Sequence, residues 1–217
     1  MKTIQRSIVS LFAALLATSF VSTSDAAPYQ KGDVKLQSIG PLATGPDGVL
    51  FVSDPKAASI IAIKTAAKPT DKSSGNFKVE GLNAKVAAVL GASVDQVRIV
   101  DLAVDSASQT AYLSVVRGQG ANANAVVVSV HPSGKIHVLS LKNVQHAVAK
   151  LSNAPADKET GQGRRRRNQR MESITDIAFV KGKVIVAGLS NEEFSSTLRT
   201  IPFPFEGSQK GTGVRIF

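Results

Sequence analysis

The residues able to do chemistry are few, and most of them are charged. Gly161 to Arg170 reads GQGRRRRNQR. Four adjacent guanidinium groups, Arg164, Arg165, Arg166 and Arg167, cannot pack in a core. Each is a planar fork of donors suited to carboxylate, sulfate or phosphate, so the run predicts contact with an anion or an anionic polymer; it fits a solvated loop without a recognition role equally well. Asp101 and Asp176 stand in matching settings, one residue before Leu102-Ala103 and Ile177-Ala178. Paired carboxylates of this kind can hold a cation through oxygen ligands, or each can accept backbone amides where a strand begins. His131 and His137 flank the Pro132–Lys135 turn, with no carboxylate nearby to complete a metal site. His146 is the remaining histidine.

Other chemistries are excluded by what the chain lacks. It has no cysteine, hence no thiolate nucleophile, no thiolate metal site and no C-x-x-C-H haem attachment. The GQG at 118–120 and the GTG at 211–213 lack the strand–turn–helix setting of a nucleotide loop. There is no G-x-S-x-G and no recognisable Ser/His/Asp arrangement. No cofactor, no metal and no catalytic residue is expected.

The elements that position these residues are strands, and the pattern repeats. Gly40–Asp54 (GPLATGPDGVLFVSD), Val97–Val115 and Glu172–Gly188 each place an apolar-Ala strand before a polar turn and a second apolar strand. The turns are Gly45–Gly48, Asp105–Gln109 and Lys181-Gly182, all of residues that accept turn conformations. Third strands are expected at SIIAIK from Ser59, AVVVSV from Ala125 and LRTIPF from Leu198. Fourth strands are expected at FKVEG from Phe77, KIHVLSL from Lys135 and GVRIF at 213–217. The HPSGK stretch, His131–Lys135, marks a hairpin. Two connections read as short amphipathic helices: LNAKVAAVLG (Leu82, Val86, Val89 and Leu90 on one face, Gly91 ending it) and NVQHAVAKL (Asn143 capping; Val144, Ala147, Val148 and Leu151 on one face).

Units of four antiparallel strands with turns at both ends predict an all-β fold: a β-propeller with three blades, at about 40–81, 97–141 and 174–217, forming an open arc with short helices between blades. The stretch GPLATGPDGVLFVSD resembles the repeat of exported bacterial NHL-like and YVTN-like propellers, with its apolar-Ala strand, Pro-Asp-Gly turn and apolar strand ending near Asp. The resemblance implies an architecture and carries over no catalytic residue. The strands near Leu42, Val100 and Ile174 are expected innermost. Three blades do not close a ring, so the chain reads as the N-terminal part of a longer propeller, or as one that closes with a second chain.

In such a fold the loops between second and third strands share a rim with the connections between blades. The rim would gather Asp54-Pro55-Lys56, Arg117 to Asn124, and Ser190 to Glu193, with the arginine run. Ser190 and Glu193 have capping-box spacing and could open a short helix. Asp54, Asp101, Asp176, Arg117, Asn191 and Glu192 are the candidate ligand-binding residues, and Arg164 to Arg167 the candidate anion-binding ones.

The first 26 residues set the address. Lys2 and Arg6 precede an apolar stretch from Ile8 to Val21, with Ser24 and Ala26 before Ala27. This is a cleavable export signal, too short for a spanning helix, and residues 27–217 form the mature domain, periplasmic or extracellular. No later segment is apolar enough to span a membrane. A formal charge of +10 biases partners toward polyanions, and export makes specific nucleic-acid binding a poor fit. The sequence therefore predicts a non-catalytic binding or scaffold module that recognises an anionic polymer or a protein at its rim. The alternative is a propeller-type enzyme, a lactonase-like hydrolase or quinoprotein-like oxidoreductase, with its site around the central channel.

Overall fold

A computed structural model describes residues 29–70, 78–191, 196–205 and 212–215. The stretch expected to be an export signal, its expected cleavage site and Glu192 lie outside these residues. Among the described residues no helix is long and apolar enough to cross a membrane.

The chain is all-β, built of antiparallel sheets. The first sheet holds β1 (Gln30–Gly32), β2 (Leu42–Thr44), β3 (Val49–Asp54) and β4 (Ser59–Lys64). Helix α1 (Leu82–Val89) leads to the second sheet, β5 (Val97–Asp105), β6 (Thr110–Arg117), β7 (Asn124–Val130) and β8 (Ile136–Val138), in chain order. Strand β9 (Val144–Lys150) then returns to the first sheet, whose order is β1-β9-β4-β3-β2. A two-stranded hairpin follows, β10 (Glu159–Thr160) with β11 (Arg167–Asn168). The third sheet is β12 (Asp176–Val180), β13 (Lys183–Leu189), β14 (Ser196–Pro202) and β15 (Thr212–Arg215), again in chain order.

The continuous apolar runs of β3 and β4 are explained by what lies on each side. Side chains alternate between the two faces of a strand. Phe51, Ile60 and Ala62 face one way and pack with Ile177, Val184, Val186 and Ile201 of the third sheet. Leu50, Val52, Ile61 and Ile63 face the other way and pack with Tyr112 and Val127 of the second. Each such side chain, fully buried, stabilises the fold by about 1.5–3 kcal/mol. The far face of the second sheet, Leu113, Val115 and Val128, is covered by Val86 of α1. The order in space is therefore α1, second sheet, first sheet, third sheet, so the first sheet along the chain is the middle layer.

The edge strands expected to be innermost do meet: β2 lies against both β5 and β12. Leu42 N–H donates to the Asp101 carboxylate at 2.8 Å, and the Thr44 hydroxyl donates to the Val104 carbonyl at 3.1 Å. A bulge in β5 between Ile99 and Asp101 sets Asp101 at this crossing.

Three sequence expectations need correction. Asn143–Leu151 is no helix: Val144–Lys150 forms β9, paired along β4 from Ser59↔Lys150 to Ile63↔His146. The spacing of Val144, Ala147, Val148 and Leu151 suits a helix, but β4 offers an open hydrogen-bonding edge, and that tertiary ladder overrides the local pattern. Asn143 does not cap; it takes φ +53°, and its N–H donates to Asp33 at 2.8 Å. Second, Lys78–Gly81 is not a fourth strand of the first unit; β9 holds that place, and Gly81, at φ +63°, turns the chain into α1. Third, the outer strand of the second sheet is confined to Ile136–Val138, and β14 begins at Ser196 rather than Leu198. Helix α1 forms as expected, with Gly91 at φ +60° just beyond its end, although Val89 faces outward at 42 % exposure. The HPSGK hairpin also forms, with His131 N–H donating to the Lys135 carbonyl at 2.9 Å.

Candidate binding rim

One end of the three sheets carries the loops expected at the rim, and hydrogen bonds tie them together. The Ser173 hydroxyl, fully buried, donates to the Pro55 carbonyl at 2.9 Å. Asn191 N–H donates to the Asn153 carbonyl at 2.9 Å, and Gly118 N–H to the Gln96 carbonyl at 2.7 Å.

The candidate carboxylates separate into distinct roles. Asp54 is 1 % exposed and does not face solvent. It accepts from Gln37 N–H at 2.6 Å, Ser38 N–H at 3.0 Å, Ser38 hydroxyl at 2.8 Å and Ala57 N–H at 3.1 Å. The carboxylate thus fastens the crossing segment that leads into β2 onto the β3–β4 turn, and Lys56 N–H completes the clasp on the Ser38 oxygen at 2.9 Å. Asp101 is engaged at Leu42. Asp176 is exposed and accepts the next N–H, that of Ile177, at 2.8 Å. The structure gives Asp101 and Asp176 different partners.

Arg117 is exposed, and its guanidinium donates to the Gly91 carbonyl at 3.4 Å. Asn191 is exposed. Ser190 is buried. The residues expected to form a helix there, from Glu192 on, lie outside the described residues.

The arginine run occupies the tip and return of the β10–β11 hairpin. Arg165, Arg166 and Arg167 are exposed. Arg166 pairs with Glu159, and Arg167 reaches Glu172 at 4.0 Å. The hairpin's backbone copies the β6–β7 loop. Gly118 (φ +87°) and Gly161 (φ +89°) open the two loops, and Gly120 (φ +57°) and Gly163 (φ +54°) follow. A one-turn 3-10 helix comes next in each, at Gly120–Asn122 and Gly163–Arg165. An added Cβ at either first glycine would lie 2.5 Å from a backbone carbonyl oxygen, Asn122 in one and Arg165 in the other. The shared G-Q-G is therefore a hairpin signature that only glycine satisfies. At the base of the β6–β7 loop, hydrogen bonds from Ser93 and then Gln96 hold the Asp95 carboxyl below its ordinary range.

Between these loops lies a cavity of about 470 Å³. Its walls come from the Gln37–Ile39 segment, Lys56, Arg98 of β5, the Gly120–Ala125 stretch and Met171. Met171 is next to Glu172, the partner of Arg167, so the arginine hairpin is rooted beside the cavity. Lys56 and Arg98 are exposed, and no carboxylate pairs with either among the described residues. Sequence reasoning named Lys56 only within the Asp54-Pro55-Lys56 loop of the rim and missed Arg98, Ser38 and Met171. A signal for Arg98 was present: it is the one cation in the VRIVDLAV stretch, whose other charge is Asp101.

His131 and His137 meet at the opposite end, across the β7–β8 hairpin, with ring centroids 5.7 Å apart. No group of three His, Cys, Asp or Glu able to hold a metal occurs among the described residues.

No protein-family model matches the chain, and no curated protein matches it. Among solved structures it is similar to the PQQ-bound form of aldose sugar dehydrogenase from Streptomyces coelicolor, at 14 % identity and a TM-score of 0.25, over 86 % of this chain and 84 % of that one. A likeness of that size carries no argument about this chain, whose fold rests on its own sheets.

Proposed function

We propose that this protein is an exported, non-catalytic binding module of propeller type, NHL-like in its repeat, and that its rim recognises an anionic polymer through the β10–β11 hairpin. The observation that carries the reading is the hairpin itself: three exposed guanidinium groups on a turn held by Gly161 and Gly163. Among the described residues only Arg166 is closely paired there, with Glu159, and exposed pairs are worth little, so the exposed groups can exchange partners. Three antiparallel sheets whose first strands converge on β2 support blades in a partial ring. Leu102, Val104 and Val180 on the converging strands are about half exposed, at 50 %, 52 % and 50 %. Further blades or a second chain would cover such apolar surface.

The test is retention of the mature protein on immobilised heparin and on polyglutamate. Arg164→Ser, Arg165→Ser, Arg166→Ser and Arg167→Ser combined should elute at clearly lower salt than the parent, because exposed charges act over about 8 Å at physiological ionic strength. Unchanged retention on both polymers refutes the hairpin as the recognition element.

A further inference from the structure

We infer that the rim cavity is a binding site for a small amphipathic anion, a carboxylate or phosphate head on an apolar body. The site is separate from the arginine hairpin and does not depend on its polymer-binding role.

Three observations converge on it. The cavity volume of about 470 Å³ lies within the range of roughly 300–1,000 Å³ that takes small organic molecules, far more than a lone inorganic ion fills. Its lining is divided: Ile39, Ala123 and Met171 give apolar wall, while Lys56 and Arg98 supply two cations that no carboxylate neutralises among the described residues. Met171 is 43 % exposed, and its flexible thioether adapts to an apolar guest.

The third observation is that the wall is preorganised. The Gln37–Ile39 segment would be free to collapse into a void of this size. It is instead held by the buried Asp54, through the Gln37 and Ser38 amides and the Ser38 hydroxyl. Asp54 spends its charge on those donors, so it leaves Lys56, two residues on, without a carboxylate partner. Arg98, on a strand paired with β6 at Val116, is fixed by its ladder. A cation on a turn and a cation on a strand thus border one cavity, with apolar surface between. An anionic head would meet both, a guanidinium offering two parallel donors, while the body removes the exposed Met171 from water.

The experiment is calorimetric titration of the full mature chain with octanoate, octyl phosphate, octanol and inorganic phosphate, each amphiphile below its micellar concentration. Saturable one-to-one binding of octanoate or octyl phosphate is expected, with octanol and inorganic phosphate at least tenfold weaker; the tighter of the two amphiphiles identifies the head group. Lys56→Gln with Arg98→Gln should weaken that binding at least tenfold while leaving the melting temperature unchanged. Ala123→Trp, which fills the cavity from an exposed position, should abolish it. The quadruple arginine-to-serine hairpin variant should still bind octanoate, which separates this site from the polymer reading. Octanol binding as tightly as octanoate, inorganic phosphate binding as tightly as octyl phosphate, or no saturable binding of either amphiphile overturns the inference. So does full affinity in the Lys56→Gln, Arg98→Gln variant.

Discussion

Asp54 offers the sharpest test of how the rim is held. Its carboxylate is almost wholly buried and accepts four hydrogen bonds, three to Oδ1 and one, from Gln37 N–H, to Oδ2. Hydrogen bonds to a charged group contribute about 1.5–3 kcal/mol each, and a donor left dry costs about 1–3 kcal/mol. These terms do not add, because water can reach the exposed Gln37 once the carboxylate is gone. Asp54→Ala should therefore destabilise the protein by about 3–5 kcal/mol, a large share of the 5–15 kcal/mol typical of a domain. Asp54→Asn keeps an oxygen at Oδ1 for three of the donors but sets an amide NH₂ against Gln37 N–H, so about 1.5–3 kcal/mol is expected. Urea denaturation followed by far-UV circular dichroism measures both. The reasoning fails if Asp54→Ala costs less than about 1 kcal/mol, or if Asn is as damaging as Ala. Octanoate affinity should fall in the order wild type, Asn, Ala, because the clasp positions the cavity wall.

Gly188 approaches the third sheet's lead-in so closely that an added Cβ would overlap the Ser173 carbonyl oxygen; Gly188→Ala should lower stability toward the upper end of overpacking losses, about 3 kcal/mol, read from its thermal melt. The matched glycines should part company: Gly118→Ala strains a loop between two core strands and should lower the melting temperature, whereas Gly161→Ala should leave it nearly unchanged and speed tryptic cleavage in the arginine run. Both tyrosines of the chain resist ionisation. Burial, helped by Asp47, pushes Tyr29 up to about 12, and burial raises Tyr112. The neutral phenol is the favoured folded form, so the stability linked to Tyr29 is intact below pH 10 and is lost as pH climbs toward about 12. Absorbance at 295 nm should show Tyr29 titrating well above pH 10 in the native protein and both tyrosines titrating near pH 10 in denaturant; a full two-tyrosine step near pH 10 in the native protein would contradict the packing around Tyr29. Among the described residues the buried Tyr29 hydroxyl has no hydrogen-bond partner, so Tyr29→Phe should be neutral or slightly stabilising in the same melt.

What the sequence disclosed, it disclosed through local chemistry. Turn residues and apolar runs located the converging strands, α1 and the HPSGK hairpin. β9 escaped because its fate was decided by a partner more than eighty residues away. Nothing in Val144–Leu151 announces that β4 lacks a neighbour, and a period read within one segment cannot register an open edge elsewhere. The same limit hid the layer order. Phe51 and Leu50 are equally apolar in the sequence, and only the return of β9, followed by the crossing to the third sheet, puts one against Val186 and the other against Tyr112.

The candidate site shows the limit in a different form. Asp101 and Asp176 stood out because they hold matching positions before Leu102-Ala103 and Ile177-Ala178, and Asp54 because it lies in a loop expected at the rim. Position in the repeat says nothing of partners: for Asp54 and Asp101 these are backbone amides of other segments, Gln37 and Leu42. The cations run the other way. Lys56 and Arg98 looked ordinary, as exposed basic residues do, because what distinguishes them is a missing counter-charge beside a cavity, and a missing partner leaves no mark in a sequence. Asp54 builds the rim, and Lys56 and Arg98, which pair with no carboxylate among the described residues, are what it presents. A ligand should accordingly respond to charge changes at Lys56 and Arg98 directly, and to changes at Asp54 only through the wall it holds.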